Sequence, residues 1–373
     1  MSAESRKSIL VLAGEGALFL SSAPLFYRLG GWLPILLYAA LFYGVLVRGK
    51  ISLHFRSTTI VCAVFLAALS VFLVLHSHER RLLEQGRNSD RGDALFKATR
   101  AMLDGDNPYA QRTVLGNPIT PMPGALVLAV PFVCLGEHLG FQTVLWLTVF
   151  FMLLGGGFGS AAQNRGLLVL ALSPVVFQDL AQSGDYIANA LYVFVFVVCA
   201  VRARGAWGPW VWGALLGIAM ASRPSYWIVP ALFFPAMEEA HGRAKAALMT
   251  ALAAAIAAAL NLYFVAVFYP GNVAGFPPLH VFDKLALAPR TSVALLALAL
   301  PLLLFGLRKL RLHQDRIIDA CAKFSVILCA LVLGGFVMQI VAGPDPAGFN
   351  RVFYLTQASC VWPFALIVAC LGV

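Results

Sequence analysis

Asp93 has the residue type and position to serve as a general base. It opens a stretch that reads as a short helix from Asp93 to Asp104. Asp93, Lys97, Arg100 and Asp104 recur at helical spacing on one side, and Leu95, Met102 and Ala98 or Thr99 form a stripe on the other. Gly105 should end that helix, and Asp106-Asn107-Pro108-Tyr109 should turn the chain. A carboxylate at such a first turn can deprotonate an acceptor hydroxyl. It can also simply cap the helix and pair with Lys97. Arginines supply the complementary chemistry. Arg223 lies between Ser222 and Pro224 at a helix end, and Arg290 and Arg351 end two later loops, with His280, Asp283 and Lys284 nearby. Singly, each is explained by lipid headgroups. Together with a base, they match transfer from a phosphate-linked donor, since the planar guanidinium fork fits a leaving phosphate.

The elements that must hold these residues are apolar. The chain has 373 residues, 60% of them hydrophobic and 12% charged, with a mean hydropathy of +0.83. Soluble domains carry about twice that charge. Apolar runs of roughly 15–25 residues recur throughout, which predicts an all-α, polytopic integral membrane protein of roughly 11–13 segments. Residues 1–373 are read as one membrane domain. Within it, the stretch His76–Thr120 is an outer-face catalytic loop carrying short surface helices. Of the 44 Asp, Glu, Lys and Arg residues, 13 lie between Glu79 and Arg112, so polar chemistry is concentrated there. The first apolar segment lacks a small-residue cleavage site and is expected to be retained.

Orientation follows the basic residues. Arg6 and Lys7, then Arg48, Lys50 and Arg56, flank the first segments, and further Arg and Lys clusters follow at Arg202/Arg204, Arg243/Lys245 and Arg308–Arg316. The positive-inside rule makes these cytoplasmic and puts the polar loop outside. The net charge of +10 is thereby explained by membrane orientation, and no nucleic-acid partner is expected. Glu15, an acid inside the first segment, can be functional or snorkel to the interface.

Counting every run from Pro121 onward as a full crossing gives the wrong parity. Either Gly166–Phe177 is a half-span or Phe141–Ala162 breaks at Gly155-Gly156-Gly157. Irregular backbone at membrane depth must line protein or water, so a cavity is expected near Ser173–Asp185, where Gln182, Asp185 and Asn189 lie. The chain carries no P-loop, GxGxxG, GxSxG or metal-ligand spacing, and its seven Cys sit in or beside apolar runs. No cofactor is expected, and no acidic cluster demands a divalent metal ion.

The run Gly92-Asp93-Ala94-Leu95-Phe96, then Met102-Leu103-Asp104-Gly105-Asp106-Asn107-Pro108-Tyr109 and Pro118–Pro123, resembles the first outer loop of the GT-C glycosyltransferases. It is most similar to the polyprenol-phosphate-mannose-dependent branch (glycosyltransferase family 87). Leu172-Ser173-Pro174, Gln182-Ser183-Gly184-Asp185 and Ser222-Arg223-Pro224 follow in the family's order. The resemblance implies an inverting transfer from a polyprenyl-phosphate sugar, mannose as first guess, to a lipid-linked or outer-face glycan. It also implies an active site on the outer face of a bacterial inner membrane. Asp93 would be the base, with Asp90 as its rival, because the spacing from Asp93 to Gly105 is one residue short of the family's. Arg223, Arg351 and Arg290 would hold the donor phosphate, and Tyr109, Asn107, Gln182 and Asp185 would contact substrate. The family usually has one helix before this loop, whereas three segments precede it here, and the Gln-Ser-Gly-Asp order differs from its Gly-Gln order. The alternative from another class is a polytopic transporter or lipid flippase.

Overall fold

The computed structural model describes residues 3–30, 32–45, 54–86, 88–136, 138–270, 272, 276, 312–342 and 357–371. Among these, the regular elements are helices, with no strand. In chain order they are α1 (Ala3–Gly30), α2 (Trp32–Tyr43), α3 (Ser57–Glu84), α4 (Arg91–Leu103), α5 (Pro123–Cys134), α6 (Gly140–Phe158) and α7 (Ser160–Ala171). There follow α8 (Pro174–Ala181), α9 (Tyr186–Arg202), α10 (Gly208–Met220), α11 (Val229–His241), α12 (Arg243–Phe268), α13 (Arg316–Ala342) and α14 (Trp362–Leu371). Short 3₁₀ turns cover Pro224–Ile228 and Gln357–Val361.

Three described helices, α3, α6 and α12, are long and apolar enough to cross a bilayer. The pair α8 and α9 forms a fourth if its 110° bend is one broken span. This is an all-α, membrane-embedded protein. The chain does not break at Gly155-Gly156-Gly157, which α6 passes through as helix. Helix α6 ends just past the triple glycine, and Gly159 (φ +95°) separates it from α7. The segment expected as Gly166–Phe177 is divided between α7 and α8. Pro174 has no N–H to continue a helix and pushes Ser173 off helical backbone. The Ser173 hydroxyl donates to the Val169 carbonyl (2.7 Å) and closes the end.

The chain forms two compact units. In the first (Met1–Ala68, Leu147–Asp179 and Leu310–Val373), α1 packs against α14, α13 and α2, and α14 against α13 and α7. Trp362, Phe324 and Phe364 are fully buried, with the two phenylalanine rings 4.5 Å apart.

In the second (Leu69–Trp146 and Leu180–Lys309), α9 is buried on nearly every face, as expected of a helix apolar all round. It packs on α10 and α11, which in turn pack on α12. Lipid tails are as apolar as leucine, so close approach rather than water exclusion holds such helices together. Ala246, Met249, Ala253 and Ala257 accordingly make the buried stripe of α12, as its alanine-rich sequence suggests. Gly124 lets the start of α5 meet the end of α10 so closely that its N–H donates to the Ala221 carbonyl (3.1 Å). A Cβ there would strike the Ile218 carbonyl.

Candidate active site

Three pieces of the second unit build one open cleft. The first is the end of α3. The stretch Ser57–Gln85 holds neither Gly nor Pro, so the helix runs through the polar residues and stops at Gly86 (φ +72°). The expected outer loop therefore begins as helix. His76, Glu79, Arg80, Leu83 and Glu84 fall at i, i+3, i+4, i+7 and i+8, on one face, and all line the cleft. The second piece is the start of α4 with the residues before it: Asn88, Ser89, Gly92, Asp93 and Phe96. The third is the break between α8 and α9, which contributes Ala181, Gln182 and Ser183. Val114 completes a cleft of about 120 Å³.

Helix α4 begins slightly earlier than its sequence suggests, with Asp90 at its N-cap. Its end is closed by a Schellman motif. Asp106 N–H donates to the Ala101 carbonyl and Gly105 N–H to the Met102 carbonyl, with Gly105 at φ +82°. The apolar stripe differs from the expected membrane-surface helix. Leu95 and Ala98 are fully buried and α4 packs on α5, so protein rather than lipid covers the stripe. The first part of the polar face, at Asp90, Asp93 and Lys97, is covered as well, because the chain doubles back across it, while Arg100 and Asp104 stay exposed. Arg112 and Pro118 form an antiparallel bridge around a tight turn. Asp90 Oδ2 accepts from Thr113 Oγ1 (2.5 Å) and Asn117 Nδ2 (2.8 Å). Asp93 Oδ2 accepts from the Val114 N–H (2.7 Å), and Lys97 donates to the Arg112 carbonyl (3.2 Å).

The two rival carboxylates therefore have different surroundings. Asp90 secures the turn and does not line the cleft. Asp93 lines it, with its side chain 15% exposed, and its Oδ2 also pairs with Lys97 at 3.1 Å. Among the described residues nothing engages Asp93 Oδ1. The carboxylate is thus held by one oxygen and presents the other.

The α8–α9 break meets α4 at Gly92. A Cβ there would lie 2.7 Å from the Gln182 carbonyl oxygen and 2.9 Å from that of Ser183, so only glycine allows this approach. Ser183 has φ +52°, a left-handed conformation costly for a side-chain-bearing residue. His76 Nδ1 lies 3.2 Å from the Ala181 carbonyl and 3.3 Å from Ser183 Oγ. Gln182 Nε2 donates to Asn88 Oδ1 (2.7 Å) and Glu79 Oε2 (3.3 Å), and Asn88 Nδ2 donates to the same Glu79 oxygen (2.6 Å).

Arg223 reaches the same break from the end of α10. Its Nη2 donates to Asp185 Oδ1 at 2.6 Å, while Asn189 donates to Oδ2 at 3.0 Å. Asp185 is buried, which is tolerable because both oxygens are paired. Tyr186 lies between two guanidinium groups, with Arg91 Cζ 3.7 Å and Arg223 Cζ 3.8 Å from the ring centroid.

Of the expected substrate contacts, Gln182 lines the cleft, whereas Asp185, Asn107 and Tyr109 do not. Tyr109 is buried; its hydroxyl donates to the Pro121 carbonyl (3.1 Å) and its ring packs on Phe276 (centroids 5.0 Å). Burial holds the Tyr109 phenol well above its ordinary pKa, with Tyr269 adding to the effect. Asn107 accepts from the Tyr109 N–H and pairs with Tyr269, so both residues anchor the loop. Arg290 and Arg351 lie outside the described residues.

Glu79, Asn88 and Arg80 were not singled out by sequence, although the breaker-free end of α3 displays the stripe that carries Glu79 and Arg80. Tyr186 and Arg91 carried no such signal. Among the described residues, no group of three or more His, Cys, Asp or Glu is placed to hold a metal ion. No protein-family model, curated protein or solved structure matches this chain.

Proposed function

We propose that this protein is a membrane glycosyltransferase, GT-C-like with roughly 11–13 membrane segments. It moves a sugar, mannose as first guess, from a polyprenyl-phosphate donor to a lipid-linked or glycan acceptor, at the outer face of a bacterial inner membrane. One observation carries this reading. The three stretches that resemble the family, distant in sequence, converge at the first turn of α4. Gly92 packs on Gln182 and Ser183, Arg91 and Arg223 enclose Tyr186, and Asp93 faces the open cleft.

In the proposed reaction, an acceptor hydroxyl gives its proton to Asp93 Oδ1 as its oxygen attacks the anomeric carbon. The bond from that carbon to the phosphate oxygen breaks with inversion, and polyprenyl phosphate leaves. Val114 and Lys97 hold Oδ2 and so aim the carboxylate. Arg223, oriented by Asp185 and Tyr186, acts with Arg290 and Arg351 on the charge of the leaving phosphate.

The test is transfer by purified protein in proteoliposomes, using radiolabelled polyprenyl-phosphate sugars and a lipid acceptor extract. Wild type should transfer label. Asp93→Asn should lower turnover by about 100-fold or more, the usual contribution of a general base, with an unchanged melting temperature. Absence of transfer from every donor, or wild-type turnover by Asp93→Asn, would overturn the reading.

A further inference from the structure

We infer that the cleft beside Asp93 is an acceptor subsite for an uncharged, hydroxyl-rich glycan, with the donor phosphate held outside it. The acceptor role rests on the transferase reading; the ligand chemistry rests on the cleft lining. Three carboxylates, those of Glu79, Glu84 and Asp93, line the cleft against one guanidinium, that of Arg80. Arg223 does not line it and is already engaged by Asp185. A phosphate entering here would meet like charge in a partly desolvated space. An uncharged ligand avoids that cost.

The hydrogen-bonding inventory points the same way. Asn88 and Gln182 spend amide hydrogens on Glu79 Oε2, which locks that carboxylate. Gln182 spends a further bond on Asn88 Oδ1, which also accepts from the Ser89 N–H (2.8 Å). Among the described residues, Glu79 Oε1, the Glu84 carboxylate, Gln182 Oε1 and Asp93 Oδ1 have no partner. The unfilled capacity is therefore mostly acceptor, and a complementary ligand must be rich in donors. Sugar hydroxyls are such donors, and a carboxylate can take two neighbouring hydroxyls at once. Leu83 and Phe96 offer apolar surface for the C–H face of a sugar ring.

The experiment is ligand-observed NMR on the full chain in lipid nanodiscs, without donor. The probes are manno-, gluco- and galacto-configured disaccharides and the same sugars carrying a 6-phosphate. At least one neutral disaccharide should bind, with its phosphorylated counterpart about tenfold weaker or more. Glu84→Gln, at an exposed position where folding is not at stake, should narrow that ratio, and Glu79→Gln should weaken neutral binding. Equal or tighter binding of the phosphorylated sugar, or no binding by any neutral disaccharide, would overturn the inference. The readout needs no turnover, so its failure is separable from that of the transferase reading. Neutral binding without transfer from any donor would refute only the enzyme. Efficient transfer to phosphorylated acceptors alone would refute only this inference.

Discussion

Asp90 and Asp93 lie one helical turn apart, yet they have different surroundings. Asp90 spends one oxygen on Thr113 and Asn117, whereas Asp93 keeps one oxygen available in the cleft. Asp90→Ala should therefore act on stability. It leaves the partly buried Thr113 hydroxyl without its acceptor, a loss of about 1–3 kcal/mol. A thermal melt in detergent should show a lower midpoint, and turnover per folded molecule should fall far less than in Asp93→Asn. A full loss of turnover at unchanged stability would move the base to Asp90. The same comparison shows how much was legible at this scale. A lone Asp at a helix start is ambiguous in sequence, because capping, pairing and catalysis all favour it there. What surrounds the carboxylate is set by the returning chain at Val114, a partner twenty-one positions away.

At the scale of elements, the contact between α4 and the α8–α9 break is the sensitive joint. Gly92→Ala would press a Cβ on two carbonyl oxygens and cost about 1–3 kcal/mol as overpacking. The expected result is a lower melting temperature together with reduced turnover, because relief requires Asp93 to shift with α4. Tyr186 offers an independent check. Tyr186→Phe keeps the ring between Arg91 and Arg223 and should retain most turnover, whereas Tyr186→Leu should lose it by about tenfold, since stacking with each cation contributes about 0.5–2 kcal/mol. Equal behaviour of the two variants in the transfer assay would remove the stack from the positioning argument. The end of α4 was readable from Gly105 because a Schellman cap is local. The burial of its apolar stripe against α5 was not, because a stripe of Leu and Ala suits a lipid surface and a protein neighbour equally.

For the whole molecule, composition and run length point to an all-α membrane protein, and the described helices agree with that class. The orientation inferred from basic residues leads to a direct measurement. In intact cells, Gln111→Cys, exposed three residues before the cleft-lining Val114, should react with a membrane-impermeant maleimide. Arg243→Cys, 80% exposed as arginine at the start of α12, should react only after permeabilisation. The reverse pattern would place the cleft in the cytoplasm and remove a polyprenyl-phosphate donor arriving from the outer face.

What sequence alone determines here is whatever one segment can decide by itself. The class follows from hydropathy, the end of α4 from Gly105, and the concentration of charge between Glu79 and Arg112 from composition. Tertiary structure decides which polar groups meet. Arg223 turns to Asp185, thirty-eight positions away, Gln182 joins Glu79 and Asn88, and Gly92 accepts the carbonyls of a distant break. The physical reason is that a buried polar group must find a partner, and the short list of residues able to serve is set by which helices pack together rather than by spacing along the chain.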